Sequence, residues 1–354
     1  MINDLLDVDT IYHEPAVPDL PRGREILARY PRARCIEISS HWNIPALHRN
    51  EALAADWNRV KRTVLVLGSK KTLRCTPFYR SADFVAPSAA NGCASSCSYC
   101  YVARRKGYAN PITTFVNIEG ILGAIERHAN RQGVKWEPTG ADPTLWTYEL
   151  GTNSDLSVDA VISDNVRDLV DLFRRLPNAR ATFATKNVNR DLLRYDPGGK
   201  TRVRFSLMPA DTARLVDVRT SSVPERVAAM NLFHEAGYEV NINFGPVIVY
   251  DGWLQDYATL FALIDDTLAP AVKRQLRAEV IFLTHDQELH EVNLRWHPRG
   301  EELLWRPELQ ETKVGQASGD PALRYKMGLK RGYVADFCAL LRERLPYCGI
   351  RYAF

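Results

Sequence analysis

The chain has 354 residues, 45% hydrophobic and 25% charged, an ordinary globular composition that excludes disordered, collagen-like and low-complexity classes. A formal net charge of +4 permits a nucleic-acid partner without requiring one. The start, MINDLLDVDTIYHEP, has neither the basic opening nor the apolar core of an export signal. No apolar run approaches the roughly 20 residues of a membrane span, so a cytoplasmic protein with no membrane partner is expected.

In chain order, residues 1–80 read as an N-terminal mixed α/β segment, with a short apolar strand from Thr63 to Leu67 set between basic groups. From Phe84 onward a strand-then-helix rhythm begins. Strands are predicted at Asp83–Pro87, Leu145–Leu150, Arg180–Thr185, Val203–Met208, Glu239–Val249 and Glu279–Thr284. Between them, Asn117 can cap a helix carrying Ile118, Ile121, Leu122 and Ile125. Ser163 can cap another carrying Val166, Leu169, Val170 and Phe173, and Ser222 a third with Pro224 in its first turn and Gly237 at its stop. Trp253–Leu268 is a further amphipathic stretch.

Six β-rich runs alternating with helices predict an α/β fold, a partial (β/α)6 TIM-like barrel over 81–290, with a doubly wound open sheet as the alternative. Residues 285–333 read as polar and loop-like. A last helix, Val334–Leu345, and a strand near Gly349–Phe354 follow, so 291–354 is a C-terminal extension that can contact nucleic acid.

The seven cysteines are an odd count in a chain without an export signal, which argues against a disulfide framework. Three of them stand close together in N-G-C-A-S-S-C-S-Y-C-Y: Cys93, Cys97 and Cys100. A C-x3-C-x2-C loop offers three thiolates to three corners of a [4Fe–4S] cluster and leaves the fourth iron without a protein ligand. S-adenosylmethionine (SAM), chelating that iron through its amino and carboxylate groups, would complete a radical-generating centre. The competing reading is a structural zinc site of three cysteines and one histidine. Zinc sites normally use two separate pairs, and here the nearest downstream histidine is His128, within a predicted helix. The loop also follows the first barrel strand at its carboxyl end, where α/β barrels build active sites.

At GCASSCSYCYV the chain resembles the spore photoproduct lyase family of the radical SAM superfamily. The likeness runs in order through YHEP, EISSHWNIP, KRTVLVLGSKKTLR, YELGTNSD, ATFATKN, VRFSLMP, EAGY, GPVIVYDGW and RYKMG. It implies a radical SAM lyase for DNA repair, acting on a thymine–thymine adduct extruded from the stack. It further implies that Ser154, Lys186 and Ser206 contact SAM and that Tyr99 and Tyr101 relay a hydrogen atom. Glu149, ending a strand, is a candidate for gripping the SAM amino group.

One position departs from the family pattern: the cysteine that returns a hydrogen atom to the product radical is replaced by Thr152. A threonine O–H bond is too strong to serve in its place. The resemblance therefore leaves open a lyase with another terminal donor, a radical SAM enzyme on another substrate, or a non-catalytic metal-containing nucleic-acid-binding protein. DNA is the expected partner, with flavodoxin or ferredoxin as electron donor. Two basic and aromatic runs, Arg104, Arg105 and Lys106 before Tyr108, and Arg324, Lys326, Lys330 and Arg331 around Tyr325 and Tyr333, suit phosphates and unpaired bases. His285, Asp286 and His290 are read as structural rather than metal-binding.

Overall fold

A computed structural model describes residues 2–48, 56–100, 102, 110–314 and 321–354. The chain divides into two compact units, the first formed by residues 1–96, 102–203 and 235–239, the second by 97–101, 204–234 and 240–354.

In the first unit, strands β1 (Thr10–His13), β2 (Arg34–Glu37) and β3 (Val64–Gly68) join β6 (Ala90–Asn91) and β7 (Ile112–Phe115) in a sheet of order β2-β1-β3-β7-β6. The run VLVLG of β3 is buried at every residue, as a strand flanked by parallel neighbours on both sides requires. Helix α1 (Pro21–Arg29) starts on a proline, whose missing N–H costs nothing there; α2 (Trp57–Thr63) leads directly into β3. Three of the sequence motifs meet at one carboxylate. Glu14 accepts from the His41 backbone N–H (3.1 Å), the His41 ring (2.7 Å) and the Ser69 N–H (2.9 Å).

The same unit holds the first barrel strands. The hairpin β4 (Thr76–Pro77) and β5 (Phe84–Val85), then β8 (Trp146–Glu149), β9 (Ala179–Thr185) and the beginning of β10 (Thr201–Ser206) lie side by side. The intervening helices are α3 (Ile118–Gln132), α4 (Leu156–Ile162) and α5 (Asn165–Arg175). The 3.6-residue pattern placed Val166, Leu169, Val170 and Phe173 on the buried face of α5, where they are. At the amino ends of these strands Asp142 takes Arg180 (2.7 Å) and Arg202 (3.2 Å), while Arg202 also reaches Glu239 (2.6 Å). Burial raises the Asp142 carboxyl, but the N–H groups of Thr144 and Leu145 and the two guanidiniums outweigh it and hold it below the usual range.

In the second unit the end of β10 adjoins β11 (Glu239–Val247), then β12 (Arg277–Phe282) and, at the edge, β16 (Gly349–Ala353). These pair in parallel. Helices α6 (Ala210–Val216), α7 (Val223–Glu235), α8 (Trp253–Thr267) and α9 (Pro270–Gln275) connect them. At the start of α7, Ser222 and Glu225 form a reciprocal capping box (3.1 and 3.4 Å). The parallel run β5-β8-β9-β10-β11-β12 is the partial (β/α)6 barrel expected from the sequence.

Three expectations change. The N-cap residue of α5 is Asp164, one position after the expected Ser163. Asn117 does not cap α3; its side chain bridges the Lys70 N–H (2.8 Å) and carbonyl (3.0 Å) instead. Residues 285–333 are not mainly loop. They contain α10 (Gln287–Trp296), α11 (Pro298–Leu304), and strands β13 (Thr284–His285), β14 (Gln310–Val314) and β15 (Pro321–Tyr325), and helix α12 begins at Met327 and runs to Arg344. Their polarity misleads because much of it is buried and paired, and because Gly328 and Gly332 dilute the first turns of α12. Phe337 anchors α12 in an aromatic cluster with Phe244, Trp253, Tyr257 and Phe261. No helix among the described residues is long and apolar enough to cross a membrane.

Candidate functional site

The cysteine loop leaves β6, where Gly92 turns at φ +96 with the Pro111 carbonyl too close for a Cβ. Its first half belongs to the first unit. Cys93 is half-buried and its sulfur accepts from the Ser95 N–H at 3.4 Å. The Gly92 N–H donates to the Asn153 carbonyl (2.8 Å), and Asn187 donates to the Ser95 hydroxyl (3.3 Å). The loops that follow β8 and β9 therefore both hold the cysteine loop.

Those two loops share a buried hub, Asp155. It caps α4 through the Ser157 N–H (3.0 Å), accepts from the Thr185 hydroxyl (2.7 Å) and from Asn187 (2.9 Å), and takes the Lys186 backbone N–H (3.1 Å). Lys186 and Ser154, far apart in sequence, are thus brought to neighbouring loops at strand carboxyl ends. Gly151, at φ +67 and with Leu156 where a Cβ would stand, sets the turn that carries Thr152 and Ser154. Thr152 is exposed. Glu149 is buried at the end of β8. The Ser154 hydroxyl donates to Asp159 (2.7 Å), one turn into α4. Burial drives the Asp159 carboxyl well above the usual range, against that hydrogen bond and with help from the nearby Asp155.

The second half of the loop belongs to the second unit. Cys97 is buried and Cys100 half-buried. Tyr99, half-buried, donates its hydroxyl to Asp217. The other oxygen of Asp217 binds Arg226 (2.9 Å), and the same guanidinium nitrogen holds the carbonyl of Ser206 (2.8 Å). A buried chain of bonds thus runs from Tyr99 to the end of β10, where Ser206 sits with Asn243 at 3.5 Å. Desolvation, then the Asp217 charge, pushes the Tyr99 hydroxyl well up, so it is a protonated donor at neutral pH.

A further brace comes from the C-terminal segment. Asn293 donates to the Ser98 carbonyl (2.6 Å) and to Glu301 (2.7 Å), and Glu301 takes His285 (2.9 Å) and His290 (2.6 Å). Asp286 caps α10. All three residues have hydrogen-bond partners within the second unit. Among the described residues no three His, Cys, Asp or Glu side chains form a group fit for a single metal ion. Thiolates on a cubane each take a different iron, so they need not crowd one point. Three thiols in one loop, with an N–H on one sulfur, are a donor set that fits a [4Fe–4S] cluster. His128 is not the fourth zinc ligand: its ring bonds Tyr148 (2.8 Å) in the first unit.

Tyr101, Arg104, Arg105 and Lys106 lie outside the described residues. Of the second basic run, Arg324 is half-buried in β15, Lys326 is exposed and reaches the Glu308 carbonyl (2.8 Å), Lys330 packs on Phe354 and Arg331 is exposed in α12. Tyr325 is no stacking platform: it is buried and accepts the Val249 N–H (2.8 Å). Asn187, Asp217, Arg226, Asn293 and Glu301 were not found from sequence. Asn187 lies beside Lys186 in ATFATKN, the one local signal that could have marked it.

The profile of the family described as "Spore photoproduct lyase" matches residues 6–320. The chain is similar to the spore photoproduct lyase of Bacillus subtilis (strain 168), 26% identical over 277 residues, or 77% of each chain. It is also similar to that of Geobacillus sp. (strain Y412MC61), 26% identical over 254 residues, or 71% of each. A solved structure described as spore photoproduct lyase complexed with dinucleoside spore photoproduct superposes with a TM-score of 0.87 at 22% identity, covering 99% of both chains, a likeness that establishes the fold. With a profile match over most of its length, the chain belongs to the spore photoproduct lyase family.

Proposed function

We propose that this chain is a radical SAM lyase that repairs a thymine–thymine adduct in DNA by breaking the carbon–carbon crosslink. The observation that carries the reading is the family match over residues 6–320 with the C-x3-C-x2-C loop intact within it. A related solved structure is described as holding AdoMet and dinucleoside spore photoproduct, which supports both ligands here. Cys93, Cys97 and Cys100 would hold the [4Fe–4S] cluster, and Glu149, Ser154, Lys186 and Ser206 would hold SAM. When bound, cluster and SAM supply a 5′-deoxyadenosyl radical for hydrogen abstraction. Flavodoxin or ferredoxin is the proposed reductant, and Arg104, Arg105, Lys106, Arg324, Lys326, Lys330 and Arg331 the proposed phosphate contacts.

The chain's own residues must then quench the product radical. The exposed Thr152 hydroxyl is chemically unsuited to that task. Cys75 sits by Tyr148 and Arg131, on the face of β8 opposite Thr147 and Glu149, and burial pushes its thiol up to about 11. Cys35 is exposed in β2, Cys338 is buried in α12 and Cys348 is buried just before β16. The family resemblance makes Tyr99 and Tyr101 the proposed terminal donors on this reading.

Thr152 also sustains a second reading, a radical SAM enzyme with another substrate and another quenching step. Reduced enzyme incubated with SAM and an oligonucleotide carrying the spore photoproduct distinguishes them. Restored thymine pairs support the lyase, SAM cleavage without repair supports the second reading, and no SAM cleavage overturns both.

A further inference from the structure

Asp155 is the N-cap of α4, so Ser154 stands just before the cap and Asp159 in the first turns after it. At those two places, before the cap and four residues past it, apolar side chains often meet and fix the angle at which the chain enters the helix. Here the contact is polar instead. The Ser154 hydroxyl donates to Asp159 Oδ2 at 2.7 Å.

Asp159 is 6% exposed, and its other oxygen, Oδ1, is buried without a hydrogen-bond partner among the described residues. Its neighbour Asp155, by contrast, takes the Ser157 and Lys186 N–H groups, the Thr185 hydroxyl and the Asn187 amide. Enclosure, with the Asp155 charge adding to it, keeps the proton on Asp159 against the Ser154 bond. A carboxyl is a poor residue for packing alone at this place, since an apolar side chain would staple the turn and leave no polar atom unpaired. What the carboxyl adds is a fixed direction for one hydroxyl. The turn's backbone is already closed by the Ser154 N–H on the Gly151 carbonyl (3.1 Å), so the Ser154 side-chain torsion is the freedom that Asp159 removes. Ser154 itself is half-buried.

We propose that Asp159 is a positioning residue for SAM, holding the Ser154 hydroxyl in the rotamer that meets the cofactor. The proposal rests on the reading of Ser154 as a SAM contact. A hydroxyl left free to turn must be ordered at the moment of binding, which weakens affinity.

The test measures the dissociation constant of SAM by equilibrium dialysis against the full chain, reconstituted anaerobically. The proteins are wild type, Ser154→Ala, Asp159→Ala, Asp159→Asn and the double variant Ser154→Ala with Asp159→Ala. Ser154→Ala and Asp159→Ala should each weaken SAM by about threefold to tenfold, and the double variant should bind no more weakly than Ser154→Ala. Asp159→Asn, whose amide keeps an acceptor for Ser154, should restore the affinity. A residue that only packs the turn would cost the same with and without the Ser154 hydroxyl. Where Asp159→Ala does not fold, Asp159→Val fills the space without a polar atom and takes its place in the same comparison. Wild-type affinity in the apolar variant overturns the proposal, as does an undiminished loss on the Ser154→Ala background. Wild-type affinity in Ser154→Ala overturns the reading of Ser154 as a SAM contact, and the proposal with it.

Discussion

Replacing Asp217 by alanine should loosen the cysteine loop and destabilise the fold together. Its carboxylate is wholly buried against Arg226, itself 1% exposed, at 2.9 Å. Removing one partner of a buried ion pair costs roughly 3–5 kcal/mol, because the other charge is left uncompensated. Arg226 keeps the Ser206 and Ser221 carbonyls (2.8 Å each), which favours the lower half of that range. Tyr99 loses its acceptor, adding about 1–3 kcal/mol. A total of about 4–7 kcal/mol follows, read as a fall in the urea midpoint at unchanged slope. Tyr99→Phe combined with Asp217→Ala should cost less than the sum of the two, with about 0.5–3 kcal/mol of coupling. A loss under about 1 kcal/mol, or strict additivity, would refute the network.

Other outcomes follow from the same geometry. Cys97→Ala should abolish both the cluster absorbance and SAM cleavage, and retention of either would remove Cys97 from the ligand set. Asp159 holds its proton more tightly folded than unfolded, so its contribution to stability falls as pH rises above the ordinary carboxylate value of about 4. Asp159→Asn should therefore gain on the wild type between pH 5 and pH 8 in urea titrations, and a gap independent of pH would contradict the assignment. Phe337→Ala should cost roughly 3–5 kcal/mol by emptying the aromatic cluster under α12, measured by thermal unfolding. Thr152→Cys should shift the product distribution if the family's substrate is used; an unchanged distribution would put position 152 away from the product radical.

The barrel strands and the apolar face of α5 were legible because period-2 and period-3.6 patterns there coincide with burial. The cysteine loop stands out because its pattern is local, three cysteines in eight residues. What escaped is non-local. Asp155 reads as an ordinary turn residue until Thr185 and Asn187 converge on it from the next loop. Lys61 reads as one of a run of basic residues, although its ammonium is enclosed. Residues 285–333 read as loop because Glu301, His285, His290 and Asn293 are polar, yet each satisfies another inside the fold. Asn117 shows the converse: a residue suited to a helix cap was recruited to hold the Lys70 peptide groups instead.

The most direct measurement of the central claim is the product of reduced, SAM-supplied enzyme acting on an oligonucleotide that contains one spore photoproduct. Recovery of the two adjacent thymines, dependent on SAM and lost in Cys97→Ala, is the predicted result. Abundant 5′-deoxyadenosine with the lesion left intact would contradict it.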